Sequence, residues 1–315
     1  MHIVKDLEGF LPFWERASLT LGVFDGMHRG HQKIIQRVQK RSKGARHARV
    51  LVTYHPHPDI VLGKRESVRG AELFTYEEKL ALFQKFSLDV VVFLPFTKEL
   101  AKMTALRYLR EILLGKLRAK SIVIGYDQCF GRGRKGDYEF LKLMTRKYDF
   151  QVDRIEAVKS KGEIISTSRI RGEIKKGNVT EANRLLGHDY FLTGTVVRGF
   201  QRGQTIGFPT ANLDVAETKL LPAEGVYGVI CEWGGQHYRA MVNIGKNPTF
   251  QNEQMTIEAN LLGFQGDLYG ETLRLYFLHR LRDEMSFGSV EELKQQLQKD
   301  QKSTERMSVP KYYTL

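Results

Sequence analysis

The segment Gly22-Val-Phe-Asp-Gly-Met-His-Arg-Gly-His31 joins a predicted strand, Ser18–Phe24, to a helical pattern over residues 30–42. Its glycines permit a tight turn and let a phosphate approach the backbone, and the helix start supplies unpaired amide donors and a partial positive charge. His28 and His31 lie about one helical turn apart and can donate hydrogen bonds to a phosphate. Paired histidines also suit a metal, but no third ligand is evident nearby. The segment therefore predicts nucleotide chemistry at a strand end.

Strand and helix patterns alternate through the first half of the chain. Four more strands are predicted at Val50–Tyr54, Asp89–Leu94, Ser121–Gly125 and Gln151–Ile155. Helices are predicted at Tyr76–Phe86, Thr104–Leu114, Tyr138–Tyr148, Ser168–Gly177 and Thr180–Leu186. This alternation predicts a parallel sheet covered on both faces, with a ligand at the carboxyl ends of its strands.

The pattern changes near Gly187. Five strands separated by Gly, Pro and Asn are predicted at Phe191–Val197, Gly225–Glu232, His237–Ile244, Thr256–Leu262 and Thr272–Leu281. This spacing is typical of an antiparallel barrel or sandwich. A helix capped by Ser289 is expected to run to Lys299, and the last dozen residues are expected to form a frayed tail.

Charge is distributed unevenly along the 315 residues, whose formal net charge is +13. Residues 1–187 hold 36 basic and 21 acidic side chains, a net +15, whereas residues 188–315 hold 13 and 15, a net −2. The basic half indicates an anionic ligand, or a solvated basic face around Lys33–Arg49. The 42% hydrophobic content excludes disorder throughout, and no apolar run is long enough for a membrane span. Two cysteines and no signal-peptide layout predict a cytoplasmic protein.

Three further motifs fall at predicted strand ends or helix starts. They are His55-Pro-His-Pro58, Gly125-Tyr-Asp-Gln-Cys-Phe-Gly131 and Ser166-Thr-Ser-Arg-Ile-Arg171. The first alone is compatible with a rigid loop. In the second, Asp127 can hold a ribose hydroxyl or form an Asx turn. In the third, the hydroxyls can cap a helix, or bind a triphosphate beside Arg171.

Together these motifs resemble those of the bacterial bifunctional riboflavin kinase/FAD synthetase family, with an adenylyltransferase module over residues 1–187. The resemblance implies a Rossmann-like nucleotidyltransferase domain that joins ATP to FMN and releases pyrophosphate by positioning and charge stabilisation. It implies that His28 and His31 stabilise the reacting phosphates. The implied ATP-binding residues are Gly22, Phe24, Asp25, Gly26, Asp127, Ser166, Thr167 and Arg171. The residues implied to contact the flavin or its phosphate are His57, Gly125 and Phe130.

The second half carries its own chemical motifs. Gly194-Thr-Val-Val-Arg-Gly199 precedes Gly203-Gln-Thr-Ile-Gly-Phe-Pro-Thr-Ala-Asn212. In an extended segment Thr210 and Asn212 point the same way, and their oxygens suit Mg²⁺ and phosphate. An ordinary barrel turn is the alternative. Glu258 lies in a strand pattern, where it is either a general base or an outward-facing residue.

These motifs, in order, resemble the riboflavin kinase module of the same family, over residues 188–315. The resemblance implies a six-stranded antiparallel β-barrel with a terminal helix, which phosphorylates the riboflavin 5′-hydroxyl from MgATP. It implies that Glu258 accepts the hydroxyl proton and that Thr210 and Asn212 bind Mg²⁺. The implied kinase nucleotide and metal residues are Gly203, Gly207, Pro209, Thr210 and Asn212.

Five residues depart from the family pattern: Gln128, Gln204, Asn247, Asn260 and Gly263. Gln128 stands where the family usually has an aromatic residue, so one flavin contact is expected to differ. Gln204 and Asn247 replace arginines that are usual in the family. Asn260 replaces an aromatic residue or histidine, and Gly263 replaces an aspartate. These changes predict a slower kinase or one with an altered substrate preference.

The predicted protein is thus a bifunctional enzyme that uses ATP and Mg²⁺, with riboflavin, FMN and FAD as substrates and products. One alternative is a monofunctional FAD synthetase whose barrel is a weak kinase or a docking module. The other is a flavin- or RNA-binding regulatory protein, although the sequence lacks an RNA-binding fingerprint. The expected partners are small molecules, with neither nucleic acid nor membrane, and the sequence does not define an oligomeric state.

Overall fold

The computed structural model describes residues 1–64, 69–199, 206–246 and 255–314. The chain divides into two compact units. Unit 1 comprises Met1–Glu72 and Tyr76–Thr167, and unit 2 comprises Leu73–Thr75 and Ser168–Leu315. Across the described ranges, no helix has the length and apolar character that crossing a membrane requires.

A six-stranded sheet, parallel throughout, forms the centre of unit 1. Its strands are β1 (His2–Val4), β2 (Ala17–Leu21), β3 (Ala48–His55), β4 (Val90–Pro95), β5 (Ala119–Gly125) and β6 (Gln151–Ile155). Their order across the sheet is β1-β4-β3-β2-β5-β6. The order reverses between β2 and β5, and the carboxyl ends of the strands beside such a reversal are where parallel sheets bind ligands. The predicted five-stranded parallel arrangement is confirmed, and β1 adds an edge strand to it.

The helices of unit 1 connect these strands. They are α1 (Arg29–Ser42), α2 (Pro58–Val61), α3 (Tyr76–Gln84), α4 (Lys98–Lys102), α5 (Ala105–Arg107) and α6 (Tyr138–Met144). A π-helix, Tyr108–Lys116, continues α5 where a single α-helix is predicted, and a short 3₁₀ turn spans Arg132–Arg134. A two-stranded hairpin, β7 (Lys159–Ser160) and β8 (Glu163–Ile164), precedes the end of the unit.

Helix α1 shows how the sequence pattern becomes packing. Its buried side chains Ile34, Ile35 and Val38 recur at helical spacing and face the sheet. The basic side chains lie on its other side, as the pattern predicts. Two of them, Arg37 and Arg41, are not merely solvated, because both form ion pairs with Asp153 of β6.

Unit 2 is built around a closed antiparallel barrel of six strands. The strands are β9 (Tyr190–Val197), β10 (Ala211–Asp214), β11 (Gly225–Trp233), β12 (Gln236–Lys246), β13 (Met255–Leu261) and β14 (Thr272–Arg282). They follow the order β10-β13-β12-β11-β14-β9, and β9 pairs with β10 to close the barrel. Five of the strands agree with the sequence pattern, and β10 is the sixth strand that the family resemblance implies.

Three helices accompany the barrel: α7 (Thr167–Lys175), α8 (Val179–Leu186) and α9 (Val290–Arg306). Helix α8 is tied to β14, because Thr180 Oγ1 donates to Leu278 O at 3.0 Å and Asn183 Nδ2 donates to Phe277 O at 2.7 Å. These bonds explain why the compact units divide at Thr167/Ser168, twenty residues before the boundary at 187/188 that the motifs predict.

The C-terminal residues differ from the frayed tail expected from sequence. Helix α9 extends to Arg306, and Thr304 and Met307 are buried. Beyond it, the hydroxyls of Tyr312 and Tyr313 donate to Asp189 Oδ2 at 2.6 and 2.9 Å. A polar carboxylate at the start of the barrel therefore fixes a segment whose own sequence carries no regular pattern.

Candidate active sites

Gly22 and Gly125 lie at the ends of β2 and β5, beside the point where the strand order reverses. The side chain of Gln128 occupies the space next to them. Its Oε1 accepts a hydrogen bond from Gly125 N at 3.1 Å, and its Nε2 lies 3.5 Å from the position of a Cβ on Gly22. Any side chain at 22 would also meet the ring of Phe24. Glycine at both strand ends thus leaves room for a polar amide where the family pattern has an aromatic ring.

The chain turns sharply between β2 and α1. Phe24, Gly26 and Met27 have φ angles of 49°, 96° and 45°, so two large side chains adopt the left-handed conformation that favours glycine. Phe24, Asp25 and Met27 are nevertheless at most 2% exposed. The turn is therefore a strained and buried connection.

Side chains from three other places hold the carbonyl groups of this turn. The donors are Thr53 Oγ1 to Val23 O at 2.9 Å, Gln32 Nε2 to Met27 O at 2.9 Å, and Thr167 Oγ1 to Asp25 O at 3.1 Å. The bond from Thr167 brings the segment that starts at Ser166 against the segment Gly22–His31, although 142 residues separate the two bonded residues. Two of the motifs predicted to share a site are thereby shown to meet.

His28 caps helix α1 with its imidazole ring. Its Nδ1 accepts hydrogen bonds from Gly30 N at 3.2 Å and His31 N at 3.3 Å. A Cβ on Gly30 would lie 3.0 Å from two ring atoms, so glycine at this position makes the cap possible. Because Nδ1 accepts, the hydrogen-bond network assigns the proton of the neutral ring to Nε2. His28 can therefore cap the helix and donate a hydrogen bond from Nε2 at the same time.

His31 stacks on His28 with ring centroids 3.7 Å apart and an interplanar angle of 17°. Burial, and secondly the charge of His28, hold the pKa of His31 well below its usual value of 6.5. The ring is therefore neutral at physiological pH. Its Nδ1 is buried without a hydrogen-bond partner among the described residues. A neutral ring with an unused polar atom suits hydrogen bonding to a ligand.

Three other residues predicted for this site, Asp127, His57 and Phe130, have different surroundings. Asp127 is exposed in the loop after β5, and its carbonyl accepts from Arg134 Nη2 at 3.1 Å. His57 is 6% exposed and caps α2, because its Nδ1 accepts from Asp59 N at 3.1 Å. Phe130 is packed in the hydrophobic core, at 5% exposure, and its contact with the flavin stays a prediction.

Ser166 and Thr167 lie where α7 begins, at the end of unit 1. Arg171 lies on the same helix, four residues after Thr167, and is counted with unit 2. The hydroxyl of Thr167 is used to hold the Asp25 carbonyl, so it does more than cap a helix.

In unit 2, Thr210, Asn212 and Glu258 come together on neighbouring strands. Asn212 of β10 is paired directly with Glu258 of β13, so their side chains share one face of the barrel. Thr210 Oγ1 lies 3.4 Å from Glu258 Oε2, at hydrogen-bond distance. On its other side Glu258 is paired with Asn243 of β12. The structure thus assembles a hydroxyl, an amide and a carboxylate from segments 48 residues apart.

Close packing fixes the members of this group. A Cβ on Gly199 would lie 2.0 Å from Asn212 Nδ2, so only glycine leaves room for the amide. Asn260 Nδ2 donates to Pro209 O at 2.7 Å and so holds the residue before Thr210. Gly263 has φ +74° in the turn after β13, which explains glycine there. Sequence reasoning missed the roles of Gly199 and Asn260, although the close spacing of Gly199 to the Thr-x-Asn motif was a usable signal.

The donor set in unit 2 fits a hard cation. Mg²⁺ prefers oxygen ligands, and Thr210, Asn212 and Glu258 supply a hydroxyl, an amide carbonyl and a carboxylate. In the described ranges no group of three or more His, Cys, Asp and Glu side chains is placed so that it could hold a metal ion. Gly207 lies in the exposed loop before this site, whereas Gly203, Gln204 and Asn247 lie outside the described residues.

Comparisons with known proteins match both halves of the chain. The family model described as FAD synthetase matches residues 11–169, and the one described as riboflavin kinase matches residues 186–308. A bifunctional riboflavin kinase/FMN adenylyltransferase from Bacillus subtilis is 32% identical over 97% of this chain and 95% of its own. One from Listeria monocytogenes is 35% identical over 91% of this chain and 90% of its own.

A solved structure, named as a macrolide-efflux protein from Streptococcus pneumoniae, has the same fold, with a TM-score of 0.89. It is 34% identical, and the match covers 97% of this chain and 99% of that one. Its name differs from those of the curated relatives, whereas the two family models match successive parts of this chain, residues 11–169 and 186–308. The chain belongs to the family of bifunctional riboflavin kinase/FMN adenylyltransferases.

Proposed function

We propose that this chain phosphorylates riboflavin to FMN and then transfers an adenylyl group from ATP to FMN, giving FAD and pyrophosphate. The observation that carries the proposal is that two family models, for FAD synthetase and for riboflavin kinase, match successive parts of the chain. We assign the functional modules to residues 1–187 and 188–315, following the motifs. The small molecules ATP, riboflavin and FMN are its partners.

In the adenylyltransferase module, an FMN phosphate oxygen attacks the α-phosphorus of ATP and pyrophosphate leaves. His28 donates from Nε2 to the reacting phosphates, and the neutral His31 lies stacked against it. Both rings sit at the start of α1, where the backbone amides and the helix dipole also favour negative charge. Ser166, Thr167 and Arg171 are assigned to the triphosphate and Asp127 to the ribose. Catalysis then consists of positioning and charge stabilisation.

In the kinase module, Glu258 accepts the proton of the riboflavin 5′-hydroxyl while that oxygen attacks the γ-phosphorus of ATP, and ADP leaves as the bond between the γ-phosphorus and the bridging oxygen breaks. Thr210 and Asn212 would hold Mg²⁺ beside Glu258, and the cation would neutralise phosphate charge when bound. Support comes from the short distance between Thr210 and Glu258 and from the strand pairing of Asn212 with Glu258.

We place the enzyme in the cytoplasm, in keeping with two cysteines that form no disulfide.

A time course with purified protein tests the proposal. Riboflavin, ATP and Mg²⁺ are supplied, with a parallel reaction fed FMN, and the flavins are separated by chromatography. The expected result is that FMN forms first and FAD follows, and that the FMN-fed reaction yields FAD directly. FAD from FMN without FMN from riboflavin would reduce the function to FAD synthesis. If neither product formed while the protein bound RNA in a salt-sensitive way, the regulatory alternative would replace the proposal.

A further inference from the structure

The strained turn before α1 needs groups outside it to keep its shape. Phe24 and Met27 hold positive φ angles inside a buried segment, and such conformations persist only where the surroundings determine them. Hydrogen bonds from Thr53, Gln32 and Thr167 hold three carbonyls of the turn. These three bonds all reach backbone carbonyls. The side-chain carboxylate of Asp25, which is 2% exposed, is held by other groups.

A buried lysine faces that carboxylate. Lys79 lies on α3, and its Nζ is 3.9 Å from Asp25 Oδ1. The same ammonium group donates a hydrogen bond to Glu72 Oε1 at 3.0 Å. Lys79 and Glu72 are 3% and 5% exposed. Three charged side chains are thus removed from water together, which is unfavourable unless they are paired and the pairing serves a purpose.

Charge balance explains why the central group is a lysine. Asp25 and Glu72 are both carboxylates, and without an ammonium group between them they would be two buried acids facing each other. Glu72 orients Lys79 through a hydrogen bond, and Lys79 then attracts Asp25 across a distance too long for a hydrogen bond but effective in a site with little water. The order of contacts runs from Glu72 to Lys79 to Asp25.

We propose that Lys79 is a positioning residue for adenylyl transfer: oriented by Glu72, it fixes the Asp25 carboxylate and so the turn that places His28 at the start of α1. Lys79 acts through Asp25 and not on the reacting atoms. Asp25 and His28 are three residues apart within one segment, so a shift of the carboxylate moves the capping ring. This inference rests on the proposed adenylyltransferase function.

The test compares Lys79→Met with Lys79→Arg in the full-length protein. Methionine fills similar space without the charge, and arginine keeps the charge. We expect Lys79→Met to lower kcat for FAD formation from FMN by about 10- to 100-fold, the scale of a small misplacement of catalytic groups, with a smaller change in KM for ATP. Lys79→Arg should recover part of this loss. Riboflavin phosphorylation by the same samples should not change.

Arg41→Met provides the matched control. It also removes the positive member of an ion pair in unit 1, but Arg41 lies at the opposite end of α1 from His28. We expect Arg41→Met to lower the thermal midpoint without lowering kcat for FAD formation. An equal loss of kcat in Arg41→Met and Lys79→Met would reduce the role of Lys79 to general stability and overturn the proposal.

Glu72→Gln keeps the proposal testable if Lys79→Met does not fold. The variant retains the ammonium group beside Asp25 but weakens the bond that orients it, so we expect a loss of about 3- to 10-fold in kcat. Unchanged kcat in a folded Lys79→Met or Glu72→Gln variant overturns the inference. If the wild-type protein makes no FAD from FMN, the proposed function fails instead, so the two failures are distinguishable.

Discussion

The position of His28 allows one imidazole ring to serve two purposes. Its Nδ1 accepts two backbone hydrogen bonds at the start of α1, and this fixes Nε2 as the donor of the neutral ring. Asparagine can also cap a helix, but it offers no imidazole. Substitution by asparagine or alanine therefore separates the structural purpose from the chemical one.

We predict that His28→Asn and His28→Ala both lower FAD formation from FMN by roughly 10²-fold or more, the scale of losing one preorganised donor. The two variants should differ in stability, because alanine also loses the cap, at a cost of about 1 kcal/mol. Steady-state kinetics and urea unfolding measure the two effects. Normal activity in His28→Asn would mean that the ring is only a cap.

Gly199 shows how a residue without a side chain can define a site. The Asn212 amide occupies the place of its missing Cβ, and the backbone of Gly199 is not among those with positive φ. Alanine at 199 would therefore act by displacing the amide and not by straining the main chain.

We expect Gly199→Ala to lower riboflavin phosphorylation by at least about 10-fold, because the displaced amide no longer lies beside Glu258. Gly172→Ala is the matched control, since a Cβ there meets nothing within 4 Å. The measurement is the rate of riboflavin phosphorylation by each of the two variants and by the wild type. Equal rates in Gly199→Ala and the wild type would show that the position of Asn212 does not matter.

At the scale of whole elements, the sequence predicts those strands and helices whose apolar residues recur at a regular spacing. Strands β2 to β5 and helix α1 carry several buried aliphatic residues at the spacing of their element, so their predicted ranges lie within a few residues of the observed ones. Strands β1 and β10 have three and four residues, too few to show a period. The C-terminal tail is fixed by tyrosine hydroxyls on Asp189, a contact between distant residues that no local pattern records.

Some residues of the candidate sites could be predicted from the sequence, and others could not. His28, Thr210, Asn212 and Glu258 belong to compact motifs whose chemistry is legible in sequence. Lys79 and Asn260 do not, because each contacts a residue of its site about 50 positions away in the sequence. Phe130 also lies within such a motif and is packed in the hydrophobic core, a contact that the motif alone does not reveal.

The pairing of α1 with β6 rests on Asp153. Arg37 Nε lies 2.9 Å from its carboxylate, and the hydrogen bond from Arg41, with further help from Arg37, lowers the pKa of Asp153 to about 2. The ordinary pKa of an aspartate is about 3.9. The pair therefore stabilises the fold fully above about pH 4 and loses its contribution as the pH falls through about 2.

We predict that Asp153→Asn lowers the free energy of unfolding by about 1–2 kcal/mol at pH 7, a value reduced from the pKa shift because both arginines are partly exposed. The difference from the wild type should shrink as the pH is lowered from 5 towards 2. Asp149→Asn removes an exposed ion pair with Lys120 and should leave the unfolding midpoint unchanged. A difference for Asp153→Asn that stays constant with pH would contradict the assignment.

At the scale of the whole molecule, two independent sites serve two consecutive reactions. Thr167 meets the turn before His28 within unit 1, and Thr210 meets Glu258 within unit 2. A substitution in one site should therefore leave the other reaction intact. FMN released by one molecule should also be a substrate for another.

The most direct test mixes two variants, His28→Asn and Glu258→Gln, and supplies riboflavin, ATP and Mg²⁺. Alone, the first variant should stop at FMN, and the second should leave riboflavin unchanged while still converting added FMN to FAD. Mixed together, they should make FAD from riboflavin, because each supplies the step that the other lacks. If each variant lost both activities and the mixture made no FAD, the account of two separate sites in one chain would be wrong.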